Sequence, residues 1–199
     1  KKHSSIEYVN LDITSEKKVK NFFKDLKNLD LLVNNAGIGV FTPILKRTAK
    51  EFSDVMNVNL LGTFLMSQNA LKIMKKKKHG KIINIGSVYG MKSSDQSIYG
   101  KSGRNNSEVY SASKAGVIML TKYLASHFAS NNIQINCISP GGIYRNQDNE
   151  FVKRYSLKAP IGRMANTKDM QSVFKMLISE DANYVNGINI PVDGGFTSW

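Results

Sequence analysis

Tyr110-Ser111-Ala112-Ser113-Lys114 places a phenol and an ammonium at i and i+4 inside a long helical pattern. On a helix that spacing stacks both side chains on one face. An ammonium beside a phenol favours the phenolate, so the pairing predicts a Tyr110 pKa below its ordinary value of about 10. A tyrosine tuned in this way can pass a proton to or from an alcohol oxygen. By itself the pair is weak, because a core-facing tyrosine beside a solvated lysine gives the same spacing.

The elements that must position this pair alternate. Residues 6–11 read as a strand, followed by Asp12. Thr14 can cap a helix running to about Leu26, with Glu16 in its first turn. Residues 29–33 form a short apolar run, a buried strand that ends at Asn34-Asn35-Ala36-Gly37. Thr48-Ala49-Lys50-Glu51 is a capping box, opening a helix to about Lys76. Residues 81–85 form the next strand, closed by Gly86-Ser87, and a polar loop rich in Ser, Gly and Asn covers residues 93–106. Ser107 can cap the helix that carries Tyr110 and Lys114. Residues 134–138 form a strand cut off by Pro140-Gly141-Gly142, and residues 144–163 look irregular or partly helical. Thr167 caps a helix to about Ser179, and residues 188–192 form the last strand, before Asp193-Gly194-Gly195.

This rhythm predicts an α/β fold with a parallel sheet covered on both faces, as one domain over residues 1–199. Ligands of such sheets bind beyond the carboxyl ends of the strands. Asn34, Ser87 and Pro140 all follow strand ends, so three polar or glycine-rich segments converge on one edge.

The composition narrows the classes. The chain has 199 residues with 41% hydrophobic content, enough for a sizeable core. Cys137 is the single cysteine, so no disulfide forms within the chain, which fits a reducing cytoplasm; its strand setting reads as a buried thiol. No apolar run reaches spanning length, and the first residues lack the apolar core of a signal peptide. His3, His79 and His127 are far apart, so no metal site is expected. The formal net charge of +13 raises a nucleic-acid partner. Against it, the lysines are scattered apart from the run at residues 75–78, which closes a helical pattern where cations complement the helix dipole, and no nucleic-acid motif is visible.

Taken in order, Asn34-Asn35-Ala36-Gly37, Asn57-Val58-Asn59-Leu60, the strand ending at Ser87, Tyr110-x-x-x-Lys114 and Pro140-Gly141 resemble the short-chain dehydrogenase/reductase family. The resemblance runs from the aspartate after the first strand pattern to Asp193-Gly194-Gly195. It implies a Rossmann-like, doubly wound sheet and an NAD- or NADP-dependent oxidoreductase acting on a small molecule. It also implies a homo-oligomer, dimer or tetramer, paired through the helices after Thr48 and around Tyr110. In the roles it implies, Tyr110 is the general acid/base, Ser87 holds the substrate oxygen, Lys114 binds the nicotinamide ribose and Asn59 holds a water that relays protons. The cofactor site it implies comprises Asp12, Ile13, Asn34, Ala36, Gly37, Pro140, Gly141 and Ile143, together with Tyr110 and Lys114. Plainer readings stand beside these: Ser87 as a cap or turn former, Asn59 as a mid-helix polar residue, Asp12 as a helix cap, Asn34 as a shaper of the cofactor floor.

The chain departs from the family pattern in three places. The glycine-rich strand-to-helix turn that cradles a pyrophosphate has no counterpart, so the expectation is an amino-terminally truncated domain lacking the first strand–helix–strand unit. Ser87 and Tyr110 are further apart than usual. The extra residues fall around 94–106, and with Asn146-Gln147-Asp148 they resemble the branch associated with flagellin modification and nonulosonate sugars, which implies a polar, sugar-derived alcohol or ketone. Arg145 stands where the family usually has threonine, and either contacts a phosphate or acidic substrate or is a solvated loop residue. The alternative to an active oxidoreductase is a catalytically incompetent remnant acting only in subunit association.

Overall fold

The computed structural model describes residues 6–199. Four parallel strands, β1 (Leu31–Asn34), β2 (Gly80–Ile85), β3 (Ile133–Pro140) and β4 (Asn189–Val192), lie in the order β1-β2-β3-β4. Successive strands run the same way, so each connection must cross back over a face of the sheet, and helices fill those crossovers. Helix α1 (Glu16–Lys24) precedes β1; α2 (Ala49–Met56) and α3 (Thr63–Lys77) connect β1 to β2, α4 (Glu108–Phe128) connects β2 to β3, and α5 (Asn149–Lys158) and α6 (Gln171–Ile178) connect β3 to β4. This is the predicted fold class, with strand boundaries shifted by up to two residues.

Alternation along the strands separates two apolar layers. Ile82, Ile133 and Ile135 face a core built with Val19 and Phe23 of α1, Leu65 and Met74 of α3, and Leu124 of α4. Ile83 and Ile138 point the other way, onto Leu177 of α6. Both faces of β2 and β3 are covered, so even the polar residues interleaved with their isoleucines, among them Asn84, Gln134 and Asn136, are buried.

The capping signals place the helices. Thr48 and Glu51 form a reciprocal capping box at α2, and Ser107 accepts from the Tyr110 N–H at the start of α4. Two caps sit one residue from their predicted positions. Ser15, not Thr14, caps α1, because Asp12 takes both the Thr14 N–H and the Thr14 hydroxyl. Asn166, not Thr167, closes a capping box with Asp169 ahead of α6. The expected long helix after Thr48 is interrupted by a π-helical turn, Asn57–Gly62, between α2 and α3. Such turns recur at functional sites, where they re-aim one side chain.

The strand expected at residues 6–11 does not form. Ile6 and Tyr8 are exposed, and β1 pairs only with β2 among the described residues. Without a strand alongside, the alternating pattern has no ladder to join and no core to bury into. No helix is long and apolar enough to cross a membrane among the described residues.

Helix α4 lies unusually close to the turn after β2. A Cβ on Gly90 would fall 2.7 Å from the Lys114 carbonyl carbon and 2.8 Å from the Ala115 nitrogen. These are backbone atoms and cannot rotate away. Gly90→Val is therefore expected to cost about 1–3 kcal/mol, the usual range for overpacking. A urea unfolding curve reads it as a lower midpoint with an unchanged slope, and a wild-type midpoint would contradict the close approach.

Candidate active site

The residues singled out by type and spacing lie at the carboxyl edge of the sheet. Tyr110 and Lys114 occupy the first two turns of α4. Lys114 is buried, and its ammonium donates to the carbonyl of Ile85, the last residue of β2, at 2.7 Å. That is the only hydrogen bond it makes among the described residues. No carboxylate pairs with it, so two of its three N–H donors remain available. The Lys114 Nζ also lies 3.4 Å from where a Cβ on Gly37 would stand, which brings the loop after β1 directly beside it.

Ser87 follows β2 by two residues. Its hydroxyl accepts from the Tyr89 N–H at 3.2 Å, capping the 3-10 turn Val88–Gly90 while facing the same cavity as Tyr110. The cap and the site-facing position coexist. Asn59 sits in the π-turn and is buried. Its amide donates to the Ile38 carbonyl and the Ser113 hydroxyl, at 3.0 and 2.9 Å, and its oxygen accepts from the Ile38 N–H at 2.8 Å. The side chain thus clamps the loop after Gly37 to α4.

A cavity of about 500 Å³, within the range of small-molecule sites, opens over these groups. Gly37, Ser87, Tyr110, Lys114, Pro140, Gly141 and Ile143 all line it. Asp12, Ile13, Asn34 and Ala36 do not. Asp12 is engaged with Thr14, and Ile13 packs where a Cβ on Gly62 would fall. Asn34 lies beneath the floor, donating to Ser67 and to Asn84, which donates in turn to Thr121.

The electrostatics correct one expectation. The Lys114 ammonium was predicted to depress the Tyr110 pKa, but burial pushes the phenol up and the nearby Ser87 hydroxyl lowers it only in part. Burial also pushes the Lys114 pKa down. The reason is common to both: each sits where solvent no longer stabilises its charged form. Lys114 turns its ammonium toward Ile85 O, 5.8 Å from the centre of the Tyr110 ring. Close by, Cys137 is buried, as expected from its strand setting, and burial raises its thiol to about 11.

The residues 94–106 form one wall of the cavity. The loop is pinned by Asp95 to Lys158 at 2.9 Å, by Tyr99 against Phe151 with ring centres 5.3 Å apart, and by the Asn105 N–H donating to the Phe41 carbonyl at 3.2 Å. Sequence reasoning placed the loop beside the pocket but missed Phe41, Tyr99 and Arg104 as lining groups. It also missed Tyr155, whose hydroxyl accepts from the Gly142 N–H and fixes the loop after β3. Nothing in local spacing signals these contacts.

The donor set fits a dinucleotide's nicotinamide–ribose end: an unpaired buried ammonium, two hydroxyls, and glycine backbone at Gly37 and Gly141 where side chains would intrude. Parallel strands with a site at their carboxyl edge define a Rossmann-like α/β protein that binds its ligand at that edge.

Comparison with known proteins is specific. A family model described as enoyl-(acyl carrier protein) reductase matches residues 1–197. The chain belongs to the short-chain dehydrogenase/reductase family and is an NAD(P)-dependent oxidoreductase of that type. A 3-oxoacyl-acyl-carrier-protein reductase FabG of Aquifex aeolicus is 36% identical over 195 residues, covering 94% of this chain and 75% of the relative. The crystal structure of a short chain dehydrogenase from Leptospira borgpetersenii serovar Hardjo-bovis, with bound NAD+, superposes with a TM-score of 0.91 at 46% identity, covering 96% of this chain and 75% of that one. A gluconate 5-dehydrogenase from Burkholderia cenocepacia, in complex with NADP and tartrate, gives a TM-score of 0.84 at 30% identity, covering 95% and 74%.

Proposed function

We propose that this chain interconverts a polar, sugar-derived alcohol and its ketone, with Tyr110 as general acid/base. The observation that carries the reading is the convergence of Tyr110, Lys114 and Ser87 on one cavity, with Lys114 held between Ile85 and Gly37. The nicotinamide, when bound, supplies or accepts the hydride. In reduction, the Tyr110 hydroxyl gives its proton to the substrate oxygen as negative charge grows there. In oxidation, the Tyr110 phenolate takes the proton of the alcohol. Ser87 donates a hydrogen bond to the same oxygen and stabilises its charge. Lys114 uses its free N–H donors on ribose hydroxyls, fixing the distance over which the reaction occurs. Asn59 holds a relay water with the acceptor capacity that its bonds to Ile38 and Ser113 leave. Asn34, from beneath, keeps the floor of the site rigid. Asp12, Ile13 and Ala36 complete the cofactor site beyond the cavity, and Gly37, Pro140, Gly141 and Ile143 form its walls. The likeness of the 94–106 loop to the flagellin-modification and nonulosonate branch supports the sugar-derived substrate.

One domain in the cytoplasm, assembled as a homo-oligomer, completes the reading. Met119 and Tyr123 on α4 are exposed, as are Leu61 in the π-turn and Phe64 on α3, so apolar side chains of these neighbouring helices remain available to a second copy. Gly116, also on α4, packs inside the protomer against Leu60. Light scattering at micromolar concentration is expected to give a dimer or tetramer mass, and a monomer mass would contradict the assembly.

Tyr110→Phe is expected to lower turnover at least ~100-fold, the scale of losing general acid/base catalysis. Circular dichroism should report an intact fold, and near wild-type turnover would remove Tyr110 from the mechanism.

The pH dependence follows from the raised phenol. Tyr110 stays protonated through neutral pH, so reduction is flat there and falls only as pH rises through its elevated pKa; oxidation rises over the same interval. Ser87 is the group that lowers the phenol. Ser87→Ala should therefore move the oxidation limb to higher pH, besides slowing turnover. A limb that stays put, or moves down, would separate Ser87 from the titration of Tyr110.

A further inference from the structure

We infer that the cavity beside Tyr110 takes a substrate bearing a carboxylate or phosphate, gripped by Arg104 and Arg145. The inference rests on the oxidoreductase reading above and names the substrate class of that same site.

The chain has five arginines. Three are matched by carboxylates: Arg47 with Glu51 and Glu108, Arg154 with Glu150, and Arg163 with Asp169. Arg104 and Arg145 make no ion pair, and neither guanidinium donates a hydrogen bond, among the described residues. These two are the arginines that line the cavity with Tyr110 and Ser87. They enter from different walls, Arg104 from the 94–106 loop and Arg145 from the segment after β3. A guanidinium remains charged at any working pH, and its planar fork fits the paired oxygens of a carboxylate or phosphate.

Both positions are built. The Arg104 guanidinium lies 4.0 Å over the Phe41 ring, and the Asn105 N–H ties the same stretch of loop to the Phe41 carbonyl. The Arg145 backbone N–H donates to the Gln147 side-chain oxygen at 2.6 Å, and the Gln147 amide donates to the Ile143 carbonyl at 2.8 Å, which fixes the main chain from which the Arg145 side chain projects. Among the described residues the one carboxylate lining the cavity, Asp148, is engaged elsewhere. It caps α5, accepting from the Glu150 and Phe151 N–H groups at 3.1 and 3.2 Å, and it pairs with neither arginine. A net charge of +13 further attracts anions to the protein as a whole. Cationic groups without a protein counter-ion, facing a cavity whose only carboxylate is turned to a helix, leave the counter-charge to the substrate.

The test compares matched probes on the full chain, with NAD(P)H present for the binding measurement and NAD(P)+ for the turnover measurement, because the alcohols among the probes can only be oxidised. Gluconate carries a carboxylate, glucose 6-phosphate carries a phosphate, and glucitol and glucose are their neutral counterparts. Calorimetry measures binding, and absorbance at the cofactor band measures turnover. The expected result is at least tenfold tighter binding of one anionic probe than of its neutral counterpart. The pair of arms identifies which anion. Arg104→Gln and Arg145→Gln should each weaken that probe by about tenfold to a hundredfold, the loss expected for a hydrogen bond to a charged group, and leave the neutral probes unchanged. Arg104→Lys and Arg145→Lys should restore only part of the loss, because the charge returns without the fork; they also report on the site if a Gln variant fails to fold. Equal binding of anionic and neutral probes by the wild type would overturn the inference, as would Gln variants that lose both kinds of probe alike. Arginine-dependent anion binding without turnover of any carbonyl or alcohol would instead count against the oxidoreductase reading and leave the anion site standing.

Discussion

The hydrogen bond from the buried Lys114 ammonium to the Ile85 carbonyl is the constraint on which the site depends. It joins the second turn of α4 to the last residue of β2, and it forms because Gly90 lets the helix backbone come into contact with the turn after that strand. A buried ammonium needs its donors satisfied or matched by a ligand. One donor goes to Ile85, and the others face the cavity. The same contact sets the height of Tyr110, one turn earlier on α4, relative to Ser87.

Around it, polar side chains link the elements where apolar packing alone would permit sliding. Asn34 of β1 donates to Ser67 of α3 and to Asn84 of β2, and Asn84 donates to Thr121 of α4. Asn59 joins the loop after β1 to Ser113, and the Ser113 hydroxyl donates to the Tyr110 carbonyl. Arg47, its side chain 5% exposed, ties the segment before α2 to Glu108 in the first turn of α4. Such networks are costly when broken, because each member would be left buried and unpaired. They hold α4 in one register against the sheet, and with it the position of Tyr110 relative to Ser87.

The charge distribution serves two ends. Most cations lie on solvated helix faces, several in i,i+4 pairs such as Lys20 with Glu16 and Lys50 with Asp54, which contribute little to stability. The cationic groups lining the cavity, Lys114, Arg104 and Arg145, make no ion pair among the described residues. A basic composition that suggested nucleic acid at first sight thus has a local expression at an active-site edge.

Much of this was legible in the sequence. The parallel α/β order, the capping box at Thr48, the Ser107 cap and the i,i+4 stacking of Tyr110 and Lys114 follow from local rules: backbone period, orphan N–H groups at helix starts, and helical geometry. The convergence of the segments after β1, β2 and β3 on one edge also followed, because parallel strands must end on the same side: Ser87 and Pro140 line the cavity, whereas Asn34 is turned to Ser67 and Asn84 instead. Tertiary structure decided the rest. Residues 6–11 carry a strand-like pattern, but a strand exists only where a neighbour completes its ladder. The direction of the Tyr110 pKa turned on how deeply both partners are buried and on Ile85 taking the ammonium, neither of which spacing along a helix can express. The π-turn that aims Asn59 and the stacking of Arg104 on Phe41 arise between segments far apart in the chain. Their energies depend on distances set only once the sheet and its helices have closed.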